Sequence, residues 1–174
     1  MIEDSSKLNK YLKRIQYPEN ADTNPTLETL TRLHHAHVFN IPFENTYIHM
    51  NIPISTNSDD IYDKIVNRGR GGYCFETNQL FADMIQLMGF SFKQLAARVL
   101  ADSDRDHPSP LVHQITLVEI MNDENNKYYY MCDVGFGGYS PIIEPLPLVT
   151  NCPVDQLTNT YQFEYDEQQL GYIL

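Results

Sequence analysis

The sequence predicts an α+β fold, helices first and antiparallel strands after. Three observations carry that expectation. Apolar residues recur at helical spacing through the first half of the chain. From Ser91 onward the pattern changes to short alternating runs rich in β-branched and aromatic residues. A helical block followed by a strand block, rather than strict alternation of the two, is the mark of α+β organisation. The expected units are residues 1–90, helical, and residues 91–174, built of strands.

The helical elements are read in order. A first helix is expected over Ser6 to Ile15, stopping before Pro18. Asn24-Pro25-Thr26 is a start signal for a second, in which Leu27, Leu30, Leu33 and His37 share a face. A third covers Asp59 to Val66, with Ser58 as N-cap and acidic residues in its first turn. The glycine-rich stretch Arg68-Gly69-Arg70-Gly71-Gly72 breaks it. Helical spacing resumes from Cys74 to Met88 through Leu80, Phe81, Met84 and Ile85, and Gly89 ends it.

In the second half, Phe92–Leu100, Val112–Met121 and Tyr128–Val134 read as strands. Asn122-Asp123-Glu124-Asn125-Asn126 between the last two has hairpin-loop chemistry. Further short strands are expected at Ile142-Ile143, Tyr161–Tyr165 and Gly171–Leu174.

Composition narrows the function. Of 174 residues, 42 % are hydrophobic and 20 % charged, the balance of a globular protein. Twelve basic against 23 acidic side chains leave a net charge of -11, which repels phosphate backbones. No nucleic-acid partner is expected. No apolar run approaches the roughly 20 residues that span a bilayer, and the N-terminus has no apolar signal core, so no membrane partner and a cytoplasmic location are expected. Three cysteines, an odd number, argue against a disulfide framework.

One cysteine stands apart. Cys74 follows a glycine turn and opens a helix, where the positive end of the helix dipole favours the reactive thiolate form. His113 starts the best strand candidate, and Asp133 lies on the next one. Pairing around the Asp123–Asn126 loop brings them to the open end of a hairpin, within about two residues of register, so that a carboxylate can orient an imidazole. Cysteine, histidine and aspartate then form a nucleophile–base–orienter set.

Other constellations are weaker. Asp102-Ser103-Asp104-Arg105-Asp106 mimics the start of a calcium loop but has His107 where glycine is needed and His113 where the bidentate glutamate belongs. His34, His35 and His37 have no matched cysteine or carboxylate set for zinc. No metal is expected. Gly135 to Gly138 lacks the lysine of a phosphate loop and reads as a turn shaping the cleft. Cys132, adjacent to Asp133 in a strand, should point to the opposite face.

Four segments in order resemble the arylamine N-acetyltransferase family: Leu33–His37 followed by Ile41-Pro42-Phe43-Glu44-Asn45; Arg70–Asn78; Leu95–Val99; and Cys132–Gly138 followed by Pro145-Leu146. The resemblance implies an N-terminal helical bundle over residues 1–90 followed by an antiparallel β-barrel-like domain over residues 91–174, and a ping-pong reaction with acetyl-CoA as co-substrate and no metal. Cys74 would be acetylated, with His113 its base and Asp133 the third member. The acceptor would be an arylamine, arylhydrazine or N-arylhydroxylamine. Glu44 and Arg70 match a pair that braces the site. Phe43, Tyr73, Phe75 and Phe136 are candidates for an aromatic acceptor pocket, or for ordinary core.

Two departures are visible. Asp106–Leu111 carries two prolines, Pro108 and Pro110, ahead of His113. The chain also stops about where the family's middle domain ends, so the expectation is a short form lacking the third domain. That form would have weakened activity or a cleft completed by self-association into a homo-oligomer. Two other functions compete: a shortened paralogue that binds a ligand or partner without turnover, and a thiol hydrolase or amidotransferase using the same three residues.

Overall fold

The computed structural model describes residues 2–100, 109–138, 141–157 and 159–174. Helix α1 (Ile2–Arg14) begins earlier than the spacing suggested and buries Tyr11 on its inner face. Gln16, at φ 56, turns the chain between the buried Ile15 and Tyr17. Helix α2 (Leu27–Asn40) starts at Thr26, whose hydroxyl accepts the Thr29 N–H at 3.2 Å. Leu30, Leu33, His34 and His37 point inward. A single turn, α3 (Thr46–His49), follows.

Helix α4 (Ser58–Tyr62) is capped by Asn57, not by Ser58 as the spacing implied. The Asn57 carboxamide oxygen accepts the N–H groups of Asp59 and Asp60 at 2.9 and 3.3 Å. Asn and Ser are comparable caps, and tertiary placement decides between neighbours. A π-helical turn, Asp63–Asn67, prolongs α4 and swings Lys64 and Ile65 into the interior. Helix α5 (Cys74–Leu87) packs against α1, α4 and the sheet, and Gly89 at φ 85 terminates it.

Strands β1 (Ser91–Ala97), β2 (His113–Met121), β3 (Lys127–Cys132) and β4 (Leu146–Pro147) form one antiparallel sheet in that order. The β2–β3 loop is closed by Asn122, whose side chain accepts the N–H groups of Glu124 and Asn126 at 3.0 and 2.8 Å. Beyond the sheet lie two separate hairpins, β5 (Val154–Gln156) with β6 (Asn159–Tyr161), and β7 (Glu164–Asp166) with β8 (Gly171–Ile173).

The sheet is not a closed barrel, which corrects the barrel-like expectation. Closure needs both edge strands to pair along a staggered ladder. Among the described residues β1 pairs only with β2, and β4 has two residues, one of them a proline without a donor. Two strand assignments also change. Ile142-Ile143 is irregular chain, and the expected Tyr161–Tyr165 strand is divided between β6 and β7, with Phe163 bridging to Thr150.

The sheet has two faces of different use. Val118 and Ile120 join Leu30, Leu33, Phe81 and Ile85 in the main core, which therefore draws on both halves of the chain. On the other face, Met131 packs with Ile142, Leu146 and Phe163 in a smaller cluster. His113, Ile115 and Leu117 on that face line a cavity of about 1050 Å³ open towards the C-terminal hairpins.

Candidate active site

The turn before α5 is shaped by close contact. A Cβ on Gly71 would meet the Pro42 carbonyl oxygen at 2.2 Å. Gly72 exchanges hydrogen bonds with the Pro42–Glu44 segment, its N–H donating to Pro42 at 3.2 Å and its carbonyl accepting from Glu44 at 2.8 Å. The Glu44 carboxylate accepts from the Gly71 N–H at 3.2 Å and pairs with the Arg70 guanidinium. Arg70 also donates to the Tyr47 hydroxyl at 2.7 Å. The loops entering and leaving the turn are thus tied together, placing Glu44 and Arg70 beside the site and not in its reacting part.

Below the turn is a buried ion pair that the sequence reading did not single out. Lys64 donates to both oxygens of Glu76 at 2.8 Å, and both side chains are almost fully buried. The Glu76 carboxylate also accepts the Tyr73 N–H at 2.8 Å, one of the unpaired donors at the helix start. Spacing sets Lys64 on the same helical face as Ile61 and Ile65, but nothing in it names Glu76 as the partner that lets a lysine be buried there.

This base presents Cys74 as the first residue of α5, with its side chain buried. The His113 imidazole meets Asp133 through Nε2 at 2.6 Å, and the Cys74 thiol, which points to the Val112 carbonyl at 3.8 Å, lies close enough to act on the imidazole electrostatically. With Nε2 committed, Nδ1 is the ring nitrogen left for sulfur. The hairpin register pairs Thr116 with Cys132, so His113 and Asp133 are offset by two residues on the same face. Their side chains close that offset. Burial works to lower the His113 pKa, but the hydrogen bond to Asp133 and the neighbouring Cys74 outweigh it and push it up to about 9.

Asp133 is itself held. Its Oδ1 accepts from the Asn78 carboxamide and from the Gly135 N–H, both at 3.0 Å. Its backbone N–H donates to Nε2 of His34 at 3.2 Å. Gly135 packs onto α5 so closely that a Cβ there would lie 2.3 Å from Thr77 Oγ1 and 3.0 Å from the Cys74 Cα. Gly135 is therefore the close approach between the Asp133 loop and the cysteine helix, while Gly137 abuts the Phe43 ring.

Of the four aromatic candidates, Phe136 sets its ring edge against His113 at 5.6 Å between centroids. Phe43 and Phe136 both line a second cavity, of about 250 Å³, which Asp133 also reaches. Tyr73 stacks between Phe43 and Phe75 at 5.7 and 6.0 Å and lines neither of the two cavities.

The remaining sulfur and metal candidates lie elsewhere. Cys132 is buried in the main core, away from the cleft, and burial pushes its thiol well up. Cys152 is exposed. Among the described residues no group of three or more His, Cys, Asp or Glu is placed to hold a metal. The Asp102–Asp106 segment and the proline-rich stretch up to Pro108 lie outside the described residues. No helix among the described residues is long and apolar enough to cross a membrane.

Comparison with known proteins places this geometry. The N-acetyltransferase family model matches residues 26–174. The arylamine N-acetyltransferase of Escherichia coli K12 is 34 % identical over 164 residues, covering 94 % of this chain and 54 % of that protein. The structure of the Salmonella typhimurium arylamine N-acetyltransferase superposes with a TM-score of 0.83 at 30 % identity, covering 92 % of this chain and 56 % of that one. The Mycobacterium marinum arylamine N-acetyltransferase in complex with CoA gives a TM-score of 0.81 at 34 % identity over 92 % of this chain and 57 % of its own. The chain thus spans about half the length of the relatives it matches. By sequence along most of its length and by fold, it belongs to the arylamine N-acetyltransferase family.

Proposed function

We propose that this chain carries out acetyl-CoA-dependent N-acetylation of arylamines or arylhydrazines by a ping-pong route through acetyl-Cys74. The observation that carries the reading is the His113 imidazole, held by Asp133 at 2.6 Å and close enough to a thiol at a helix N-terminus for that thiol to raise its pKa. Such an imidazole takes the thiol proton and leaves a sulfur nucleophile.

In the first half-reaction Cys74 Sγ attacks the thioester carbonyl. An S–C bond forms, the carbonyl becomes an oxyanion, and collapse expels the CoA thiolate, which takes the proton held by His113. The positive end of α5 lies beside the sulfur and favours the oxyanion. In the second half-reaction the acceptor nitrogen attacks acetyl-Cys74 and loses its proton to His113. The cysteine then leaves and is reprotonated. Asp133 keeps one tautomer and steadies the imidazolium throughout.

The CoA complex of the M. marinum relative supports the choice of donor. For the acceptor, the small cavity between Phe43 and Phe136 offers aromatic walls next to His113 and Asp133. Tyr73 and Phe75 act behind Phe43 as its support.

The test is the intact mass of the protein after mixing with acetyl-CoA, with Cys74→Ala as control. The expected result is one added acetyl group that requires Cys74 and disappears when an arylamine or arylhydrazine is supplied. An unmodified protein whose Cys74 still reacts with a small alkylating agent would overturn the reading in favour of a binding protein without turnover.

A further inference from the structure

Asn78 lies one helical turn beyond Cys74 on α5 and is fully buried. Its side chain makes three hydrogen bonds, each to a different part of the site. The carboxamide nitrogen donates to the Gln114 carbonyl at 2.7 Å, immediately after His113, and to Asp133 Oδ1 at 3.0 Å. The carboxamide oxygen accepts the Val134 N–H at 3.0 Å. This orientation is dictated by the partners, since a flipped amide would face its oxygen to a carbonyl and a carboxylate. One side chain on the cysteine helix therefore reaches the strand bearing His113 and both the carboxylate and the following peptide of Asp133.

We infer that Asn78 is a positioning residue for acyl transfer: it sets the spacing of helix α5, the start of β2 and the Asp133 loop, and turns Asp133 so that Oδ2 faces His113. The inference rests on the reading of Cys74, His113 and Asp133 as the reacting set. With Oδ1 occupied by Asn78 and the Gly135 N–H, the carboxylate has one oxygen left for the imidazole. No residue of similar size does the same. Aspartate supplies no donor and sets a second carboxylate against the first. Alanine leaves the Gln114 carbonyl and the Val134 N–H without this partner in a buried site. The titratable groups facing this network are Cys74, His113, Asp133 and, from α2, His34.

The experiment compares wild type, Asn78→Ala, Asn78→Ser, Asn78→Asp and Ile85→Val. Two quantities are read on folded protein: the alkylation rate of Cys74 at neutral pH, and the pH titration of the His113 ring nitrogens by NMR. Ile85 is buried on the same helix and controls for loss of stability alone. The Asn78 variants should slow alkylation by about 10- to 100-fold, the scale of a small misplacement of reacting groups. They should also move the His113 titration towards the ordinary histidine value. Ile85→Val should lower the melting temperature and leave both readouts unchanged. Asn78→Ser, the least disruptive change, supplies the answer should the other variants not fold. A folded Asn78 variant with wild-type alkylation and His113 titration would overturn the inference. Wild-type Cys74 reacting no faster than in His113→Ala would instead sink the acyl-transfer reading on which it rests.

Discussion

The two halves of the molecule treat histidine in opposite ways. In the helical half, His34 and His37 are fully buried, and burial drives their pKa values down to about 4 and about 3. His37 has its Nδ1 on the Tyr11 hydroxyl at 2.9 Å, and both rings set edges against Phe81. They are neutral core residues. In the sheet half, His113 is almost as buried, yet Asp133 and Cys74 hold its pKa near 9. Burial alone therefore does not set the charge of a histidine. The neighbour does: a phenol and aromatic edges leave it neutral, whereas a carboxylate and a thiol keep the proton on it.

That contrast has a signed consequence for stability. A pKa raised from 6.5 to about 9 means that the His113 contribution is fully present below pH 6.5 and is lost as pH rises towards 9. The lowered values of His34 and His37 act on the other side. Below pH 6.5 the unfolded chain takes up protons that the folded protein refuses, and stability falls as pH drops towards 4 and 3.

The contrast is broken most severely at the carboxylate. Asp133→Asn should release His113 to a lower pKa and remove the alkaline loss of stability. It should also slow Cys74 alkylation by about 10²–10⁴-fold, the usual worth of a positioned general base. Histidine titration by NMR and alkylation kinetics check both parts, and an unchanged His113 titration would mean that Asp133 does not hold the proton. His37→Leu should have an intermediate effect. It deletes one of the two protons refused in acid and should flatten the acid limb by about 1.4 kcal/mol per pH unit. Urea unfolding between pH 6.5 and 4 measures it, and an acid limb as steep as wild type would assign the sensitivity elsewhere. His35→Ala should do least. His35 sits between the two buried histidines in sequence but is exposed and stacked on Phe39 at 4.4 Å. The change should stay within about 0.5 kcal/mol at every pH. A larger shift would show that position along α2, rather than burial, governs this cluster.

Much of the site was legible as a linear pattern. A cysteine at a helix start after glycines, a histidine opening one strand and an aspartate near the end of the next are local features that spacing reports, although the strand expected to run to Val134 ends at Cys132, one residue before Asp133. The π-helical turn that buries Lys64, the Lys64–Glu76 pair and the Asn78 bridge were not legible, because each joins residues whose meeting depends on how elements pack. His34 reads as one of three clustered histidines until α2 is seen to place it behind the Asp133 peptide.

The same division holds for the fold. By itself the sequence determined the helical first half, the antiparallel strands of the second and the residues that open and close the central hairpin, because side-chain periodicity and turn chemistry are local. Only the tertiary structure decided that the sheet stays open, that its two faces serve a core and a cleft, and that Nε2 of His113 turns to Asp133. Those outcomes depend on edge pairing, on the two-residue offset across β2 and β3, and on buried hydrogen bonds between residues as far apart as 99 positions.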